Sequence, residues 1–128
     1  MASKIYLAVD IGASSGRHVL GWVEDGKIQT LEVHRFANRL IRKGGHLCWD
    51  IDALYDQVVE GLRRCAAKGK IPDSLGIDAW AVDYCLLDAQ GNRIGDAISY
   101  RDGRTAGIQR RVFERVPAAQ LYARTGIQ

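Results

Sequence analysis

The sequence predicts an α/β domain that opens on three antiparallel strands, passes through one helix and returns with further strands. Three observations carry that expectation. Apolar, strand-forming runs over residues 5–11, 18–23 and 27–36 follow one another across short breaks. Asp25-Gly26 between the second and third is a strong hairpin signal, because both central positions of such a turn favour positive φ. Leu54, Val58, Leu62 and Cys65 then recur at three- to four-residue spacing, which gives a helix one apolar face.

Taken in order, the first strand closes at Gly12, and the third alternates apolar Ile28, Leu31 and Val33 with polar neighbours. Gly44-Gly45 marks a break, and residues 46–49 read as a short strand or extended arm. Asp50 or Asp52 supplies the helix N-cap, Gly69 closes the helix and Pro72 prevents its continuation. Residues 74–82 read as a fourth, buried strand. A turn at Gln90-Gly91-Asn92 then joins residues 84–88 to 93–99 as a further hairpin. Residues 104–115 have helical character, and Pro117 opens a shorter helix to Tyr122. Three antiparallel strands, a helix and a returning strand are the opening order of the ribonuclease H-like or actin-like ATPase fold. That order alone speaks to fold, and function must come from sites.

Composition narrows the classes. A chain of 128 residues holds one ordinary domain, and 47% hydrophobic with 26% charged residues is a soluble globular balance. No apolar run approaches the ~20 residues of a membrane helix. The start, Met1-Ala2-Ser3-Lys4, runs into a strand without the apolar core of a signal peptide, so a cytoplasmic protein is expected. Cys48, Cys65 and Cys85 are an odd count without zinc-type spacing, and each sits among apolar neighbours as a buried, reduced thiol would. Net charge is +3, spread as pairs such as Arg63-Arg64, with no aromatic-interleaved basic stripe for nucleic acid.

Chemistry concentrates in three stretches. The first, Asp10-Ile11-Gly12-Ala13-Ser14-Ser15-Gly16-Arg17, joins strands one and two. Gly12 and Gly16 would permit unusual torsions, and consecutive amides could then face one anion. Two hydroxyls and the forked Arg17 suit phosphate oxygens, and Asp10 could hold a hydrated Mg2+. The same stretch also reads as a plain hairpin turn, with Asp10 capping it. The second is Gly76-Ile77-Asp78-Ala79-Trp80-Ala81-Val82-Asp83-Tyr84, whose two aspartates fall on opposite faces of an uninterrupted strand. Asp78 fits a ligand cleft or a solvated strand edge equally. In the third, Ser99-Tyr100-Arg101-Asp102-Gly103-Arg104-Thr105, Asp102 reads as a helix cap. Trp22, Trp49 and Trp80 read as core or cleft walls, and His34 and His46 as surface or partly packed residues.

Together these stretches resemble the FGGY carbohydrate kinase family. The resemblance rests on Ala8-Val9 followed by the Asp10–Arg17 stretch, on His34-Arg35-Phe36, on Trp49-Asp50-Ile51-Asp52 and on the Gly76–Tyr84 stretch. It continues through Tyr100-Arg101-Asp102 with Arg104-Thr105, and Thr125-Gly126-Ile127-Gln128. It implies an actin-like, two-domain enzyme that uses Mg2+ to transfer the γ-phosphate of ATP to the 1-hydroxyl of L-rhamnulose. It implies that Ala13, Ser14, Ser15, Gly16 and Arg17 contact ATP, and that Ala81 and Asp83 contact the sugar. Alanine at 81, where the family often has glycine, crowds that pocket mildly and leaves a backbone contact intact. By the same resemblance the catalytic base and the adenosine pocket lie beyond Gln128. Residues 1–128 then form the first part of the N-terminal kinase domain, contain no catalytic residue and are inactive alone. Such a chain is expected to self-associate, through residues 46–49 or the last helix near Tyr122. ATP and L-rhamnulose are the expected partners, with no nucleic acid and no membrane. Two other classes stay open from the residues alone. One is a metal-dependent nuclease using Asp10, Asp78 and Glu60, and the other a non-catalytic nucleotide-sensing module.

Overall fold

The computed structural model describes residues 4–127. Met1, Ala2, Ser3 and Gln128, which belong to the start and the final stretch quoted above, lie outside the described residues. Strands β1 (Tyr6–Ile11), β2 (Ser15–Glu24) and β3 (Lys27–Ala37) form an antiparallel meander. Its second turn is the expected Asp25-Gly26 pair, with φ of 50° and 73°. A β-bulge between His18 and Val19 shifts the β2–β3 register. Past the hairpin of β4 (Leu40–Lys43) and β5 (His46–Trp49), helix α1 (Ile51–Ala67) crosses back. It delivers β6 (Ser74–Ala79) parallel to β1, so the sheet order is β3-β2-β1-β6. Asp73 staples this join: its amide donates to Ile5 O and its Oδ2 accepts from Ile5 N, both at 2.7 Å.

Alternation along β1 and β2 decides where the core sits. Leu7, Val9, Ile11 and Leu20 point to one face and are buried there with Val33, Phe36 and Cys65. Leu54, Val58 and Leu62 of α1 pack onto that cluster, as their spacing predicts. Each such aliphatic side chain contributes about 1.5–3 kcal/mol when fully buried. Asp50, not Asp52, is the N-cap: its Oδ1 accepts from Ala53 N at 3.0 Å. Asp52 instead forms a two-pronged pair with Arg93, at 3.0 and 2.9 Å. Gly69 follows the helix with φ of 66°, the left-handed stop its position predicts.

Helix and sheet approach closely where Gly61 faces His18. A Cβ at Gly61 would overlap the His18 ring. That ring is fully buried, lies 5.5 Å from His34 across the strand pair, and has no hydrogen-bond partner on either nitrogen among the described residues. Burial, aided by His34, holds its pKa below the usual 6.5. His34 is itself buried, its Nε2 2.8 Å from Gln57 Oε1 on α1, so the surface reading of this residue is corrected.

Other expectations also change. Residues 74–82 do not make a buried strand: β6 stops at Ala79, every residue of it is exposed, and Ile77 is 54% accessible. It ends with its partner, since Ala79 faces Ile11, the last residue of β1, and Val82 with φ of 73° turns the chain away from an extended course. Residues 46–49 are no free contact segment. β5 pairs with β4 on one side and meets Ile98 on the other, and Cys48 and Trp49 are buried. Cys48 and Cys65 are buried thiols, but Cys85 is exposed. The later hairpin shrinks to β7 (Leu86–Leu87) and β8 (Arg93–Ile94). Residues 104–115 divide into a 3-10 turn (Gly103–Thr105) and α2 (Ile108–Phe113), because Gly107 turns left-handed between them. Helix α3 (Ala118–Thr125) follows Pro117.

Asp102 ties the late segment to β5. Its carboxylate accepts from Leu47 N at 2.8 Å and Arg104 N at 2.9 Å, and lies 3.1 Å from His46 Nδ1. The two backbone bonds come first among the causes that hold its pKa at about 2.

Two outcomes follow for stability. Gly61→Ala gains about 1 kcal/mol in helix propensity but overpacks a ring that cannot move outward, at about 1–3 kcal/mol. The urea midpoint should therefore fall, and an unchanged midpoint would mean that the His18 ring can shift. Acid should also weaken the fold in two windows. The unfolded chain protonates His18 below about pH 6.5 while the fold resists. It then protonates Asp102 below 3.8, where the folded carboxylate stays ionised until about 2. Stability from both groups is complete at neutral pH. His18→Phe should remove the upper window and Asp102→Asn the lower, read as urea midpoints against pH.

Candidate functional site

β1 and β6 run parallel and in register, with Ile11 opposite Ala79, so both leave the sheet at the same edge. Residues Gly12–Ser14 follow β1, and Trp80–Asp83 follow β6. Ligands of open α/β sheets bind beyond the carboxyl ends of parallel strands. Two of the three stretches picked out in the sequence therefore converge on one place.

The first turn is tighter than expected. Ser15, Gly16 and Arg17 already belong to β2, leaving only Gly12, Ala13 and Ser14 between strands. Gly12 N donates to Ser15 O at 2.9 Å, closing it. Neither Gly12 nor Gly16 has a positive φ, so the torsional reason for these glycines is corrected. Close approach requires them instead. A Cβ on Gly16 would overlap the Phe36 ring, and one on Gly12 would lie 3.2 Å from Ser15 O. The brace that sequence reading missed is Asn38, just after β3. Its N donates to Ser14 O and its Nδ2 to Gly12 O, both at 3.0 Å. A lone asparagine 26 residues from the turn carries no local signal of that role.

Asp10 and Arg17 face each other across the β1–β2 pair. Arg17 Nε donates to Asp10 Oδ2 at 2.9 Å and Nη2 is ion-paired with the same oxygen at 2.9 Å, with both side chains about half exposed. Each has the other as partner in this structure. Asp78 is Asp10's partner on β6, so in-register pairing puts the two carboxylates on the same, open face. That face carries a shallow trough of about 460 Å³ along β1, β2 and β6, with Ala8, Gly21 and Gly76 among its lining. Glu60 belongs to α1, which covers the opposite face, and it is paired with Arg64 at 2.9 Å. Asp10, Asp78 and Glu60 therefore do not form a two-metal set, and the nuclease reading loses its constellation. Among the described residues no group of three His, Cys, Asp or Glu side chains could cage a cation.

The second turn is held from beneath. Trp49 Nε1 at 2.6 Å, Trp80 Nε1 at 3.2 Å and Tyr100 N at 3.1 Å all donate to Asp83 Oδ2. The argument that Asp78 and Asp83 occupy opposite strand faces does not apply, because the strand ends between them. Trp49 and Trp80 meet with ring centroids 4.3 Å apart and tilted by 47°, Trp49 buried and Trp80 packed against the core, the core half of the expectation for them. Ala81 is exposed on this turn. In the third stretch Asp102 caps the 3-10 turn, as expected. No helix among the described residues is long and apolar enough to cross a membrane.

Residues 5–128 match the model of the N-terminal domain of the FGGY family of carbohydrate kinases. The chain is 51% identical over 122 residues to rhamnulokinase of Oceanobacillus iheyensis, covering 95% of this chain and 26% of that protein. It is 46% identical over 124 residues to rhamnulokinase of Bacillus subtilis, covering 97% and 26%. Gluconate kinase from Lactobacillus acidophilus superposes with a TM-score of 0.74 over 98% of this chain and 25% of that one. At 22% identity the superposition speaks to the fold alone, and the fold is that of the actin-like sugar kinases. This chain spans about a quarter of the length of the relatives it matches. Architecture and sequence kinship agree: the chain belongs to the FGGY family of carbohydrate kinases.

Proposed function

We propose that residues 1–128 form the first part of the N-terminal domain of an ATP-dependent kinase that phosphorylates L-rhamnulose at its 1-hydroxyl. The convergence of the Gly12–Ser14 turn and the Trp80–Asp83 turn at one edge of the parallel pair is the observation that carries this reading. The resemblance of this chain to rhamnulokinases supports the choice of sugar. A cytoplasmic location fits such an enzyme of sugar metabolism.

In this reading Ala13, Ser14, Ser15, Gly16 and Arg17 receive the ATP phosphates. The Asn38 brace fixes the turn before ligand arrives, and Arg17 exchanges Asp10 for phosphate oxygens. Asp10 suits Mg2+, which takes one or two carboxylates plus phosphates and water rather than an all-protein cage. When bound, the ion would neutralise charge on the phosphates. Ala81 and Asp83 form the sugar side, Ala81 through its backbone and Asp83 through the turn it closes. Catalysis in such kinases is mostly positioning and charge stabilisation, and this chain contributes positioning.

Adding ATP with Mg2+ to the 128-residue chain should move the amide resonances of residues 12–17 in a nuclear magnetic resonance titration. Arg17→Ala should weaken the effect by roughly 10- to 100-fold, the equivalent of losing one charge-assisted bond of about 1.5–3 kcal/mol. Shifts confined to other residues, or unaffected by the substitution, would make the turn purely structural.

The chain is also proposed to self-associate. α2 and α3 line an apolar groove with Val112, Phe113, Leu121 and Tyr122, and Tyr122 is 52% exposed. Exposed apolar grooves recruit partners. Light scattering at micromolar concentration should report a dimer that Tyr122→Glu dissociates, and a monomer throughout would end this idea.

A further inference from the structure

Among the described residues, three side-chain and backbone donors converge on one atom, Asp83 Oδ2. It accepts three donors from three separate segments: Trp49 at the end of β5, Trp80 at the exit of β6, and the backbone of Tyr100. An ionised carboxylate oxygen can accept such multiple bonds, and they are stronger than neutral ones. The two indoles that point at it lie 4.3 Å apart with an interplanar angle of 47°, and Tyr100 lies 6.3 Å from Trp49. The residue before Asp83 is in an unusual state. Val82 is β-branched yet has φ of 73°, a conformation that persists only where the surroundings impose it. Val82 is 76% exposed, so packing of its own side chain does not impose that torsion. The bonds that fix Asp83, the next residue, to Trp49, Trp80 and Tyr100 do.

We infer that Asp83 is a positioning residue, a clasp that holds Trp49, Trp80 and Tyr100 together and so presents the Ala81 backbone to the sugar. Asp83 acts through the turn it closes, with Oδ2 committed to protein donors. The inference rests on the sugar-site reading of Ala81 above.

The test uses the 128-residue chain and two readouts. Two indoles this close give an exciton couplet in far-ultraviolet circular dichroism, which reports the clasp without reference to any ligand. Calorimetry with L-rhamnulose reports the sugar site. Asp83→Ala should abolish the couplet and weaken sugar binding by about tenfold or more, as expected on losing charge-assisted bonds. Asp83→Asn keeps an oxygen acceptor and should retain the couplet and most of the affinity. If Asp83→Ala fails to fold, Trp80→Phe keeps a ring, removes one donor and should still lower the affinity. A couplet that survives Asp83→Ala would overturn the clasp. Sugar affinity unchanged in Asp83→Ala, or in Trp80→Phe where that stands in, would overturn the positioning role alone. No binding by the wild-type chain would overturn the sugar-site reading and this role together.

Discussion

Everything in the candidate site depends on the parallel pairing of β1 with β6. A parallel neighbour needs a crossover, and here α1 supplies it, laid across the apolar face of the meander. The crossover works only if helix and sheet meet at the correct height, which Gly61 over His18 sets: a ring below and no side chain above. With the helix seated, the mutual bonds between Ile5 and Asp73 start β6 level with β1. Ile11 and Ala79 then finish level too, and two turns distant in sequence become neighbours. A one-residue slip would send Asp78 to the helix side and part it from Asp10.

The two turns are stiffened in different ways. The first is held by backbone and amide groups, with Asn38 spanning Gly12 and Ser14 and Phe36 filling the space that Gly16 leaves. The second is held by one carboxylate at the meeting point of three chain segments. Asp102 does the same a short way on, joining β5 to the 3-10 turn. Carboxylates serve here as joints between segments distant in sequence.

Sequence reading found what local pattern encodes. The Asp25-Gly26 hairpin, the helix with its Asp50 cap and Gly69 stop, and the Asp102 cap all involve residues a few positions apart. The site stretches were legible for the same reason, since glycine and serine between strands advertise a turn. What was not legible is long-range. Asn38 braces a turn 26 residues earlier, and Asp83 reaches back 34 residues to Trp49. The β4 strand, Leu40–Lys43, has two basic residues and alternates weakly, so only its pairing with β5 reveals it. The exposure of β6 was hidden because apolar content shows what a strand can bury, not whether a neighbour covers it. The glycines at 12 and 16 were recognised, but for torsion rather than for the close packing that requires them.

The three thiols end up chemically unequal. Cys48 and Cys65 lie at 1% and 0% exposure, and burial raises the Cys65 pKa further from reactivity. Cys85 is open to solvent two residues beyond Asp83. The folded chain thus carries one natural handle for thiol-directed chemistry, beside the turn whose movements matter most. A spectroscopic label can be attached there without removing or adding a cysteine, and only unfolding would expose the other two.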